Sequence, residues 1–227
     1  PNPDVYFNLI NTSNDDISEN MTTSYSPVSQ MKYIIDLVEK EVKVHNDYSK
    51  EFVSVAKLKE NVSLTQMIKT ADRDSQNIVY CSATSKAIDY ALDYANSIKT
   101  QEDNAELLAL SREIKGQIHA DYYLADLLTK GVAYHIGYLP ADIRLRIEDL
   151  FKKGAIKTIF CTSTLVEGVN LPADNLFITS YKNGLSHMTP VEFRNLVGRV
   201  GRIEFNLYGN VFLTRIANNV ETQKYVD

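Results

Sequence analysis

The chain has 227 residues, 44% of them hydrophobic, enough for a sizeable core in one domain plus an extension. Its net charge of −5 argues against a dedicated nucleic-acid binder with a broad basic face, and no apolar run reaches membrane-spanning length. Two cysteines and four histidines lack zinc-ligand spacing, so no metal site is expected, and with no secretory leader visible the chain reads as cytoplasmic with free thiols.

In chain order, Val5 to Ile10 reads as a strand and residues 11–26 as a polar loop. Val28 to Val44 carries apolar residues at 31, 34, 35, 38 and 42, a stripe that predicts a helix. Residues 52–58 fit either type, and Leu64 to Ala71 fits a short helix. Strand-like runs then alternate with helical ones, at 78–81, 131–135, 156–162, 176–179 and 209–214. Residues 104–130 form one or two helices between the first two of these runs. Tyr122 and Tyr123 fall in that apolar stretch and read as core packing or an interdomain contact rather than base stacking. After Pro140, the residues Ile143, Ile147, Leu150 and Phe151 share one helix face, which Gly154 ends. Thr189-Pro190-Val191-Glu192 predicts a further helix start: an N-cap, a proline at the first position and a glutamate three residues after the cap. Continuous apolar runs between amphipathic helices imply an α/β fold, a parallel sheet covered on both faces. Ligands of such sheets bind beyond the carboxyl ends of the strands, where Cys81–Ser82 and Thr162 fall.

The most informative stretch is Asn195-Leu196-Val197-Gly198-Arg199-Val200-Gly201-Arg202. Two arginines three residues apart share one side of a helix end, and the glycines let a large anion approach the backbone. A planar, permanently charged guanidinium suits polyphosphate. Upstream, Cys161-Thr162-Ser163-Thr164 closes an apolar run and leads to Glu167-Gly168-Val169-Asn170. Hydroxyls and free N–H groups after a strand can hold a phosphodiester backbone, and an asparagine can donate to and accept from a sugar hydroxyl. A third stretch, Gly131-Val132-Ala133-Tyr134-His135-Ile136-Gly137-Tyr138-Leu139-Pro140, precedes Arg144. No Gly-x-x-x-x-Gly-Lys-Ser/Thr and no Asp-Glu dipeptide occurs, so the chain carries neither a phosphate-cradling loop nor an acidic magnesium box.

In this order the three stretches resemble motifs V and VI, and the segment before motif V, of superfamily 2 helicases, in particular the DExH superkiller-like group. The resemblance covers residues 77–214 and implies a RecA-like second helicase domain over 74–227. Residues 1–73 would be an N-terminal extension or linker, with its helix 28–44 packed on the lobe. ATP and magnesium would be held mainly by a first RecA-like domain outside this sequence, the partner in cis. The other partner would be single-stranded or partly duplex RNA or DNA.

On this resemblance Arg199 and Arg202 are arginine fingers that reach the ATP phosphates. Gly168 and Asn170 lie near the nucleotide sugar, with Glu167 and Asn195 beside them. Thr162, Arg144, Ser82 and His135 contact the nucleic-acid backbone. The family usually has glutamine where Asn195 stands; asparagine is one methylene shorter, so its contact becomes longer or water-mediated. The resemblance implies an ATP-dependent helicase or translocase, inactive as this fragment alone. A non-catalytic RecA-like module that binds a partner protein is the alternative. Charge fits the first reading, since residues 1–130 carry 13 basic against 20 acidic side chains but residues 131–215 carry 10 against 7.

Overall fold

The structure, a computed structural model, describes residues 29–46, 48–70, 75–165, 171–200 and 208–217. The strand expected over 5–10 and the loop over 11–26 lie outside them. In chain order the elements are β1 (Ser29–Asp36), β2 (Glu41–Asn46), β3 (Glu51–Lys57), α1 (Leu64–Thr70), β4 (Asn77–Tyr80), α2 (Thr84–Asn96), α3 (Ala105–Gln117), α4 (Tyr123–Leu128), β5 (Val132–His135), α5 (Ala141–Lys152), β6 (Thr158–Cys161), β7 (Asn175–Ile178), β8 (Lys182–Asn183), β9 (Ser186–His187), α6 (Pro190–Val197) and β10 (Tyr208–Arg215).

One eight-stranded sheet runs β3-β2-β1-β10-β7-β4-β6-β5. From β1 to β5 every pairing in that order is parallel. The α/β fold expected from the sequence is therefore the fold observed, with a difference at one edge: β2 and β3 add on antiparallel. The four short strands β4, β5, β6 and β7 are buried at every position. Successive strand residues point to opposite faces, so complete burial requires cover on both. α2 packs on β5 and β6, and α4 packs on β5. α3 lies against α4 and α5.

The helix expected over 28–44 is a correction: the segment is β1, a turn and β2. Its apolar spacing suited a helix, but Tyr33, Ile34, Ile35, Val42 and Val44 are aromatic or β-branched and suit a pleated surface. The turn is set by Asp36, whose Oδ1 accepts from the N–H groups of Val38 and Glu39 at 3.0 and 2.9 Å. Lys40 there has φ 57°. Pairing with β10 then holds β1 along its whole length, from Ser29↔Tyr208 to Asp36↔Arg215.

Two ladders cross the sheet. Tyr33 stacks on Phe212 at 5.1 Å between centroids, and Phe212 on Phe177 at 4.6 Å. At the end where the parallel strands begin, amides run sideways: Asn210 donates to Asn175, Asn175 to Asn77, and Asn77 to Thr158. Each of these residues sits opposite the next in the strand register. A one-residue slip would break that chain and bury unpaired amides, so the ladder specifies register.

Local signals worked well elsewhere. α5 buries Ile143, Ile147, Leu150 and Phe151 as its spacing predicts. Gly154, at φ 74°, turns the chain away after it, in a backbone region that favours glycine. Tyr122 packs against the core, whereas Tyr123 is 59% exposed. The small hairpin of β8 and β9 was not read from the sequence. It turns at Gly184, with Leu185 fully exposed at its tip.

Candidate nucleotide and nucleic-acid interface

The parallel register gathers the candidate residues. Tyr80 sits opposite Cys161, and Cys161 opposite His135, so β4, β6 and β5 end level. Ser82 follows β4 at the entry to α2 and is half-buried. Thr162 follows β6, half-buried, with its N–H donating to the His135 carbonyl at 3.3 Å. The carboxyl edge of the sheet thus presents two hydroxyls from strands 80 residues apart in the chain.

His135, a candidate backbone contact, closes β5 as an enclosed ring. It is 1% exposed, and both ring nitrogens are engaged. Nε2 lies 2.9 Å from Glu148 Oε1, and Nδ1 lies 3.0 Å from Thr164 Oγ1. The enclosed ring offers no free nitrogen to a ligand, which corrects the reading of His135 as a direct backbone contact. The physical reason is β5: its last residue points inward beneath α5 and the 3-10 turn Ser163–Leu165. The Thr164 hydroxyl also donates to the His135 carbonyl at 3.2 Å. Burial lowers the His135 pKa, the Glu148 carboxylate opposes that, and the charge of Arg144 adds to it. The net shift is downward, so the neutral ring with its proton on Nε2 fits this surrounding.

Glu148 and Thr164 were not singled out by the sequence reading. A signal for Glu148 existed, since it stands four residues after Arg144 and shares its helix face. Arg144 itself is half-buried in the first turns of α5. Its Nε is enclosed and meets no acceptor among the described residues. A buried donor left unpaired is costly, and an anionic oxygen would satisfy it.

α6 starts as its sequence predicts. The Thr189 hydroxyl accepts from the Glu192 N–H at 3.2 Å, and Glu192 Oε2 accepts from the Thr189 N–H at 2.7 Å. Those bonds to Thr189 hold the Glu192 carboxyl below its usual range. Beyond the helix, Arg199 is buried at 7% exposure. Its carbonyl accepts from the Ala173 N–H at 3.1 Å, and Val200 forms a parallel bridge with Ala173. Gln30 Nε2 donates to the carbonyls of Val197 and Val200 at 3.1 and 2.9 Å. The segment is therefore stitched to β1 and to the approach of β7. The charge of Arg199 acts on the Cys161 thiol at the end of β6. Asn195 is exposed on α6. Arg202, Glu167, Gly168 and Asn170 lie outside the described residues.

The model of the helicase conserved C-terminal domain matches residues 58–204, which include this whole edge. The chain belongs to that family. It is the C-terminal domain of a superfamily 2 helicase, as the ordered motifs implied. The ATP-dependent DNA helicase Hel308 of Thermoplasma acidophilum is 32% identical over 164 residues, 67% of this chain and 23% of that protein. The antiviral helicase SKI2 of Saccharomyces cerevisiae is 40% identical over 91 residues, 38% of this chain and 7% of that protein. DNA polymerase theta of Drosophila melanogaster is 28% identical over 222 residues, 88% of this chain and 11% of that protein. The helicase domain thus spans under a quarter of the length of each of these relatives.

Both cysteines of the helicase domain are free and buried, as expected. Burial pushes the Cys81 thiol up to about 12 and raises that of Cys161 well above its ordinary value. Among the described residues no helix is long and apolar enough to cross a membrane. Nor do three His, Cys, Asp or Glu side chains converge among them as a metal site would require.

Proposed function

We propose that this domain is the second motor lobe of an ATP-dependent nucleic-acid helicase or translocase in the cytoplasm. ATP occupies a cleft between it and a first RecA-like lobe, which carries the phosphate loop and holds the magnesium. The observation that supports this most is the alignment of strand ends. It sets Ser82, Thr162 and the unsatisfied Nε of Arg144 along the edge where α/β sheets bind ligands. The name of the Thermoplasma relative supports both ATP and nucleic acid.

In this reading Thr162, Ser82 and Arg144 hold phosphates of the nucleic-acid backbone, and His135 positions the turn that carries Thr164 instead of touching the strand. Arg199 and Arg202 stabilise the charge that develops on the transferred phosphoryl group. Gly168, Asn170 and Glu167 border the nucleotide sugar, and Asn195 reaches across the cleft through water. The lobe boundary falls near residues 73 and 74, with 1–73 as an extension. In this reading the magnesium is held mainly by the other lobe, and the isolated domain turns over no ATP.

The test is ATP hydrolysis by the full-length protein, with and without single-stranded RNA or DNA. Nucleic acid should stimulate it, and Arg199→Ala should lower kcat by about 10³ or more. An unstimulated, Arg199-independent rate would instead favour the non-catalytic interaction module.

A further inference from the structure

At the opposite end of the sheet, where β4, β5 and β6 begin, lies a cavity of about 550 Å³. Four lysines line it: Lys69, Lys99, Lys130 and Lys157. One carboxylate, Glu102, accompanies them. The four come from α1, from the loop after α2, from the approach to β5 and from the approach to β6. Such a concentration is not a by-product of a basic protein, because the chain is acidic overall at −5.

Two of the lysines have a structural task. Lys69 Nζ donates to the Ser97 carbonyl at 2.7 Å, and Lys130 Nζ to the Ala95 carbonyl at 2.8 Å. These carbonyls end α2, where a cation is favourable and open acceptors need donors. Lys99 and Lys157 have no such task. Neither ammonium meets a carboxylate or a carbonyl among the described residues. They add positive charge to a concave surface that the helix end does not require.

The cavity is far larger than a bare phosphate needs and falls in the range of small-molecule sites. Tyr94 supplies an aromatic flank. We infer that this cavity is a second anion site, which takes a phosphorylated small molecule of mononucleotide size. The ammonium groups of Lys99 and Lys157 face the phosphate, and the body of the ligand lies along Tyr94. The site is independent of the strand-end cleft, since it sits at the other end of the same strands.

Calorimetric titration of the full chain with AMP, inorganic phosphate and adenosine tests this, without magnesium. AMP avoids the triphosphate that an arginine finger would read. AMP should bind saturably, inorganic phosphate should compete, and adenosine should bind at least about tenfold more weakly. The Lys99→Ala/Lys157→Ala double variant should lose at least about tenfold in AMP affinity. Both side chains stand clear of the core, so the fold should survive, as circular dichroism would check. The inference is overturned if AMP does not saturate by about millimolar concentration or if the lysine variant binds as wild type.

Discussion

His135 Nε2 lies 2.9 Å from Glu148 Oε1, beneath a helix and with almost no exposure of the ring. The contact ties the last residue of β5 to the second half of α5 and makes the ring a pH-sensitive part of the fold. Its folded pKa is lowered by burial, against the pull of Glu148 and with the help of Arg144. The unfolded chain therefore binds more protons than the folded one just below the unfolded value near about 6.5. Stability should be full above that value and fall as pH drops towards the folded pKa, by at most about 1.4 kcal/mol per pH unit. His135→Gln should flatten this part of the profile. Glu148→Gln, which removes the opposing charge, should extend the loss to lower pH. Urea midpoints between neutral and mildly acidic pH check both. Equal slopes in wild type and His135→Gln would rule the ring out as the cause.

A second pH effect has the opposite chemistry. Burial works against the Asp36 carboxylate, but the Glu39 N–H, the Arg215 guanidinium and the Val38 N–H together hold its pKa below the ordinary value. Arg215 Nη1 donates to Oδ2 at 2.9 Å. Asp36 thus contributes stability above its unfolded pKa near about 3.9, lost as pH falls through the folded value. Arg215→Leu should destabilise by about 1–3 kcal/mol at neutral pH and weaken the acid sensitivity. No change in the acid limb of the denaturation profile would remove Asp36 from the account.

Asn175 bridges Asn210 on β10 and Asn77 on β4. Asn175→Leu would take the partner from Asn77 Oδ1 and from Asn210 Nδ2, at about 1–3 kcal/mol for each orphaned group. Urea denaturation of the variant should show that loss with an unchanged m-value. A variant as stable as wild type would mean that the ladder contributes nothing.

Both thiols should be inert in the native chain. They are fully buried, and burial disfavours the thiolate that attacks a disulfide reagent. In denaturant both cysteines should react, and without it neither should on the same timescale. Rapid native labelling of Cys161 would show that the end of β6 opens.

Thr162 and Arg144 should separate a positioning hydroxyl from a charge contact. In the full-length protein, Thr162→Ala and Arg144→Ala should each weaken binding of unrelated single strands by similar factors. Only Arg144→Ala should flatten the dependence of affinity on salt, by about one phosphate contact. Affinity measured against log salt decides this. Unchanged binding in both variants would place the strand elsewhere on the domain.

Much of this domain was legible from local patterns, because local interactions set them. The capping box at Thr189 and Glu192, the apolar face of α5 and the chain reversal at Gly154 each involve residues within about one or two helical turns. The ends of β4 and β6, one residue before Cys81 and Thr162, followed from the same logic. Tertiary structure decided the rest. Residues 28–44 have a helical stripe, yet pairing with β10, some 180 residues later, makes 29–36 a strand. The spacing of Glu148 from Arg144 was a local signal, but that Glu148 and Thr164 enclose the His135 ring depends on contacts 13 and 29 residues away in the chain. The asparagine ladder joins four strands, and the lysine cavity joins four separate segments. Sequence spacing governs what neighbours along the chain can do, whereas burial and charge at a site depend on which distant segments the sheet order brings together.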